Sequence, residues 1–181
     1  MLGRVPAPSP RSVRRCGGVS SSGGVAALDL RPFAPDDDIQ LISWFADAAE
    51  LRRFAGPSLH WPLNSEQLQT VRVTSGLSAF SAVSSADSEK VCGHIELVTV
   101  GRGARARLAR VALAPDCRGQ GLGRPLVELG LEQARLRGVR EVELFVFADN
   151  GPARRVYESL GFRQRGTDPH DTTSLAMARE L

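Results

Sequence analysis

The apolar positions of this chain leave residues 1 to 28 blank and then run in three successive periods. The first 28 residues hold almost no large apolar side chain and are rich in Gly, Ser, Pro and Arg, a composition that cannot supply a packed core. A short strand is expected from Leu28 to Arg31. Pro35 and the trio Asp36, Asp37 and Asp38 mark a helix start, where acids cap free N–H groups and suit the dipole. Ile39, Ile42, Phe45 and Ala49 then follow at helical spacing as one buried face. Ala55 to Leu63, with Gly56, Pro57 and Pro62 around His60 and Trp61, reads as an irregular loop, and a short helix starts at Asn64 or Ser65.

From Ala79 the spacing changes to that of strands. Phe80 to Ser84, Val91 to Val100 and Leu108 to Leu113 are expected as antiparallel hairpins, with Asp87-Ser88 and Gly101 to Gly103 as turn chemistry. Leu122, Leu126, Leu129 and Gln133, with Val127, Leu131 and Ala134 beside them, define a helix that carries Pro125 in its first turn and closes at Gly138. Glu141 to Phe147 alternates around Val142, Leu144 and Val146 and predicts a strand. Gly151-Pro152 opens another helix through Leu160, and a last strand lies in Ser174 to Ala178. The domain is therefore expected over residues 29–181, after an extension over 1–28.

Composition changes this picture little. The 181 residues carry a net charge of +3, but Arg4, Arg11, Arg14 and Arg15 fall in the acid-free first 28, which leaves 19 basic residues against 20 acidic ones. The folded part is not a basic nucleic-acid binder by composition, and no apolar run approaches the length of a membrane span. The extension reads as a flexible tail or a misassigned start, with an Arg- and Ser-rich transit peptide as the alternative. Cys16, Cys92 and Cys117 are odd in number and lack metal-ligand spacing, so neither a disulfide framework nor a metal site is expected, and a reducing cytoplasm fits.

The candidate chemistry begins at Arg118-Gly119-Gln120-Gly121-Leu122-Gly123, between a strand and a helix. Glycines let the backbone approach a ligand closely, and the first N–H groups of the following helix favour an anion such as a phosphate. Two nucleotide motifs fail here. Position 124 is Arg where a dinucleotide fingerprint needs its third glycine, and no Gly-Lys-Ser/Thr ends the loop as in a P-loop. A plain strand-to-helix turn is the alternative for the loop taken alone.

The flanking residues decide more. Val111-Ala-Leu-Ala-Pro115-Asp-Cys-Arg118-Gly-Gln-Gly121-Leu-Gly123 resembles the strand, loop and helix of the GNAT superfamily of N-acetyltransferases. Phe147-Ala-Asp-Asn150, Ala153 and Tyr157-Glu-Ser-Leu-Gly161-Phe162 look like the same family's second cofactor segment. The resemblance implies an α/β fold with a mixed, mainly antiparallel central sheet and helices on both faces. It implies direct transfer of an acetyl group from acetyl-CoA to a primary amine, on a small molecule or a protein, without metal. The alternative is a catalytically silent acyl-CoA-binding regulatory or interaction module. Partners would be acetyl-CoA and the acceptor, with no nucleic acid or membrane; acceptor identity and oligomeric state stay open.

The same resemblance implies roles. Backbone groups of Val111, Ala112 and Leu113 would pair with the pantetheine arm, and N–H groups of Gly119, Gln120, Gly121, Leu122, Gly123 and Arg124 would cradle the pyrophosphate. Arg118 would contact phosphate or hold the loop, and Asn150 would bind the cofactor's arm or cap the strand end. A lysine-like amine is neutral in only about one molecule in a few thousand at pH 7, so a proton acceptor is needed, and the departing thiolate benefits from a donor. Tyr157, the only tyrosine, stands where the family often places that donor; packing is its alternative.

The base departs from the pattern, because Phe145 stands where some relatives carry glutamate. Glu143 and Glu96 are the candidates, each with a surface carboxylate as its alternative, and His94 reads as a satisfied polar residue or a base. His60 and Trp61 are candidate acceptor contacts or packing anchors. Cys117, near a helix start, is a candidate low-pKa thiol or inert filler. Arg102, Arg105, Arg107 and Arg110 would meet phosphates or an acidic partner, or form a solvated hairpin.

Overall fold

The computed structural model describes residues 27–85, 87–101 and 104–181. Cys16, Arg102 and residues 1–26 of the expected extension lie outside the described residues. Leu28–Pro32 (β1) opens the chain and is followed by Asp37–Ser43 (α1), Ala48–Ala55 (α2) and Ser65–Arg72 (α3). Leu77–Ser84 (β2), Asp87–Val100 (β3) and Arg105–Leu113 (β4) form the expected antiparallel hairpins, so Asp87-Ser88 belongs to β3 and not to a turn. Gly123–Leu136 (α4), Glu141–Phe147 (β5), Gly151–Ser159 (α5), Arg163–Asp168 (β6) and Asp171–Glu180 (β7) complete it. The sheet order is β1-β2-β3-β4-β5-β7-β6, antiparallel except for the β4–β5 pair.

Helices cover both faces, and side-chain alternation sets which. Ile95 of β3 and Leu108 of β4 face α4, where Gly130 admits them: a Cβ there would lie 2.5 Å from Ile95 Cδ1. The buried stripe of α4 is Leu126, Val127, Gly130, Leu131 and Ala134, while Leu129 and Gln133 are only half-buried. A glycine carries no apolar signal, which displaced the expected stripe. His94 and Glu96, one residue out of phase with Ile95, turn to the opposite face, where His94 meets the rings of Phe33 and Phe54.

The first helical segment differs from expectation for an electrostatic reason. Asp37 is buried and accepts from both Arg31 guanidinium nitrogens at 2.7 Å, from Ser81 Oγ at 2.6 Å and from the Ala34 N–H at 2.8 Å. Asp38, also buried, pairs with Arg72 of α3. These pairs turn Asp37, Asp38 and Leu41 inward, and Ile39 is left 76 % exposed. The run also breaks after Ser43, and α2 begins afresh at Asp47, whose side chain caps the Ala49 and Glu50 N–H groups.

β6 escaped the sequence pattern altogether. Its residues Arg-Gln-Arg-Gly-Thr-Asp are almost all exposed on an edge strand that pairs with β7 alone, so no apolar alternation marks it.

What positions the site is a fork between β4 and β5. Their parallel pairing runs from Arg105↔Glu141 to Leu108↔Leu144 and then stops, although both strands continue. The closed end is clamped by Arg107, whose Nη2 lies 2.8 Å from Glu143 Oε1 and whose guanidinium stacks 4.4 Å from the Phe145 ring centroid. Arg105 reaches both Glu141 and Glu143.

Candidate active site

The open end of the fork leads into a cavity of about 850 Å3. Val111, Ala112 and Leu113 of β4 form one wall and Asn150, Ala153 and Tyr157 of the α5 segment another. The glycine loop with the start of α4 closes a third side, and Phe45, Asp47, Glu50, Arg53 and Phe54 the fourth.

Gly119 and Gly121 have φ of +73° and +75°, and a Cβ on either would meet nothing within 4 Å. Only glycine adopts that backbone freely, and the space above it stays open to a ligand. Asp47, Asn64 and Asn150 cap α2, α3 and α5, but α4 has no side-chain cap and no acid in its first turn. Its free N–H groups are left for an anion. The side chains of Gln120 and Arg124 turn elsewhere, to Asp116 O at 2.6 Å and to Glu128 and Ser159, and neither residue is among those that line the cavity.

Arg118 lines the cavity and also braces the loop. Its Nε donates to Leu113 O at 3.2 Å, its Nη2 to Trp44 O at 3.0 Å, and its Nη1 lies 3.5 Å from Glu50 Oε1. Of the two roles expected for it, these contacts serve loop-holding. Asn150 Oδ1 caps α5 at the Ala153 N–H, 3.3 Å away, which makes it a helix cap and not a strand-end cap, and leaves its NH2 group as a donor beside the cavity.

Tyr157 lines the cavity with 8 % of its surface exposed and stands edge-on to Phe162 at 5.8 Å. Burial pushes its phenol up to about 12, so it stays protonated at neutral pH and is a donor.

The two glutamates named as base candidates are not brought to the cavity lining. Glu143 is held by Arg105 and Arg107 at the closed end of the fork. Glu96 is buried; desolvation alone would raise its carboxyl, but hydrogen bonds from His94 and Arg110 hold it below the usual range. Its Oε1 lies 3.2 Å from His94 Nε2 and its Oε2 2.6 Å from Arg110 Nε. His94 is thus a buried partner of Glu96.

His60 and Trp61 do not line the cavity either; both are exposed, and the wall expected of them is supplied by α2 and the turn before it. Asp47-Ala-Ala-Glu50 has the spacing of a capping box, the signal that marks this helix in the sequence. Cys117 is buried, and burial, then its neighbour Cys92, push its thiol up, which favours inert filler over a low-pKa thiol. Arg105 and Arg107 pair with Glu141 and Glu143 of β5 yet keep much of their side chains in solvent, as the solvated-hairpin reading expects, and Arg110 departs from it by turning inward to Glu96. Among the described residues no group of three or more His, Cys, Asp or Glu is placed to hold a metal ion, and no helix is long and apolar enough to cross a membrane.

Comparison with known proteins agrees with this geometry. A mycothiol acetyltransferase from Corynebacterium glutamicum is 56 % identical over 52 residues, 29 % of this chain and 18 % of that protein. One from Kocuria rhizophila is 40 % identical over 91 residues, 48 % of this chain and 30 % of that protein. The match thus spans less than a third of these curated relatives. The fold is that of a spermidine N-acetyltransferase from Vibrio cholerae in complex with CoA and spermine, with TM-score 0.70 and 17 % identity over 84 % of this chain and 95 % of that one. A GCN5-related N-acetyltransferase from Kribbella flavida gives TM-score 0.67 and 25 % identity over 86 % and 98 %. The acetyltransferase (GNAT) family profile matches residues 41–162, which hold the glycine loop, the fork and Tyr157 together, and the chain belongs to that family.

Proposed function

We propose that the protein transfers an acetyl group directly from acetyl-CoA to a primary amine. The carrying observation is the fork: β4 ends its pairing with β5 at Leu108, beside a helix N-terminus that no side chain caps. Such a site suits a ligand with an extended amide-bearing arm and a pyrophosphate. The arm takes up backbone groups of Val111, Ala112 and Leu113 as an added strand, and the N–H groups from Gly119 to Arg124 receive the pyrophosphate. The Asn150 NH2 group donates to the arm.

The acceptor amine enters along the wall of Phe45, Asp47, Glu50, Arg53 and Phe54. Its nitrogen attacks the thioester carbonyl, the C–S bond breaks, and the departing thiolate, whose thiol has a usual pKa of about 8.5, accepts a hydrogen bond from the Tyr157 hydroxyl. The amine's proton passes to water in the open cavity. Asp47 and Glu50 are the carboxylates along that wall, whereas Glu96 and Glu143 act within the sheet. Holding thioester and amine together supplies much of the rate.

The relatives' names carry mycothiol and spermidine, both small molecules, which supports a small-molecule amine as the acceptor here. Buried thiols at Cys92 and Cys117 suit a reducing cytoplasm. Release of free thiol from acetyl-CoA against a panel of small amines and peptides tests the proposal. Acceptor-dependent release supports it. Acetyl-CoA binding without release under any acceptor leaves the silent acyl-CoA-binding module, which the absence of Glu96 and Glu143 from the cavity wall favours.

A further inference from the structure

Arg110 is the non-glycine residue with positive φ, at +45°, among the described residues. It sits where β4 gains a residue against β3: His94 pairs with Ala112 and Glu96 with Ala109, so Arg110 and Val111 together stand opposite Ile95. In unbroken alternation Arg110 would share the face of Leu108 and point at Gly130 of α4, a wholly apolar place. The bulge turns it instead to the Glu96 face. There its guanidinium, 13 % exposed, meets a carboxylate that is 2 % exposed, and its Nη1 lies 3.3 Å from Ser58 Oγ. The parallel pairing of β4 with β5 ends at Leu108, two residues before this turn.

We propose that the Glu96–Arg110 ion pair is the lock that holds the fork open, and that Arg110 is therefore a positioning residue for acetyl-CoA. A left-handed backbone at a residue with a Cβ is unfavourable by itself and persists where surroundings over-determine it. The surroundings here are the buried Glu96 carboxylate, with Ser58 Oγ beside it. With that anchor in place β4 bends away from β5 at Arg110, and the backbone of Val111 to Leu113 is left unpaired toward the cavity. Three arginines of β4 thus divide the work. Arg105 and Arg107 bind glutamates of β5 and close one end, while Arg110 binds a glutamate of β3 and opens the other. His94 completes the anchor by occupying the second oxygen of Glu96.

The proposal rests on the acetyl-CoA reading for its functional half, and its structural half is measured without ligand. Arg110→Met alone strands a buried carboxylate and is expected to unfold more easily whatever the role of the pair. The informative variants are Glu96→Gln with Arg110→Met, which removes both charges, and Glu96→Gln with Arg110→Gly, where glycine adopts φ of +45° without strain. In the first, hydrogen exchange of the residue 109–113 amides that face the cavity slows at least about 10-fold as β4 pairs with β5, and the Kd for acetyl-CoA rises at least about 10-fold. In the second, both values return to within about threefold of the wild type, because the backbone turn and not the charge is what the site needs. Unchanged exchange in the methionine double variant, a glycine variant as impaired as it, or failure of both to fold would overturn the lock. A wild-type protein that binds no acetyl-CoA overturns the functional reading instead, while the exchange comparison still decides the lock.

Discussion

Arg118 Nη2 donates to the carbonyl of Trp44 at 3.0 Å, which ties the glycine loop to the turn between α1 and α2. The same guanidinium holds Leu113 O, so one side chain fixes three walls of the cavity relative to one another. Arg118→Met removes the tie but not the loop. The expected result is acetyl-CoA affinity lower by about 10-fold by calorimetry, the size of one or two charge-assisted hydrogen bonds. A phosphate contact would add a steep salt dependence that the wild type shows and the variant lacks; equal salt slopes identify the structural role.

Gly121→Val places a β-branched side chain at φ of +75°, where the added Cβ also points into the open loop. Saturating acetyl-CoA is expected to raise the wild-type Tm by mass action and to leave that of the variant unmoved. An equal shift in both proteins would reduce the loop to a turn.

Tyr157→Phe keeps the ring against Phe162 and removes the hydroxyl. Turnover is expected to fall by about 100-fold with KM for acetyl-CoA within about twofold, since the lost contact forms as the thiolate departs. The phenol also carries a stability signature. Burial raises it to about 12 in the folded protein against 10.0 in the free chain. The group costs nothing below pH 10, and as pH rises from 10 to 12 the unfolded chain ionises first and stability drops by about 3 kcal/mol. The stability difference between the wild type and the phenylalanine variant should hold steady below pH 10 and change as pH rises through that window.

Asp37 anchors β1, α1 and β2 through Arg31, Ala34 and Ser81. Burial alone would raise its carboxyl, but the Arg31 pair and the other donors hold it at about 2. Its folded pKa is depressed, so its contribution is present above pH 3.8 and is lost as pH falls toward 2. Asp37→Ala removes this anchor, and urea unfolding is expected to register a loss of about 2 to 3 kcal/mol at neutral pH, the size of the carboxyl's depression from 3.8 to about 2. A loss under about 1 kcal/mol would mean that water replaces the carboxylate.

Glu143→Gln tests the division between sheet and site. Held by Arg105 and Arg107 away from the cavity wall, Glu143 is expected to be dispensable for chemistry, with kcat within about threefold of wild type. A fall of 100-fold or more would restore it as the base.

The sequence by itself determined the parts whose signal is local. The glycines at 119 and 121 mark a close-approach loop, the segment after them reads as a helix start, and the alternation of Val142, Leu144 and Val146 marks a strand; each depends on a few adjacent residues. The tertiary structure decided what depends on partners far along the chain. Asp37 and Asp38 turned α1 against its apolar spacing because Arg31, Ser81 and Arg72 awaited them. Gly130 became part of the α4 stripe because Ile95 fills the space above it. Glu96 and Glu143, alike in sequence as strand glutamates, were drawn into the sheet by Arg110 and Arg107, a choice fixed by strand register and a single bulge. Charge pairing and close packing act across space, so which carboxylate meets which guanidinium is settled only once the strands have been aligned.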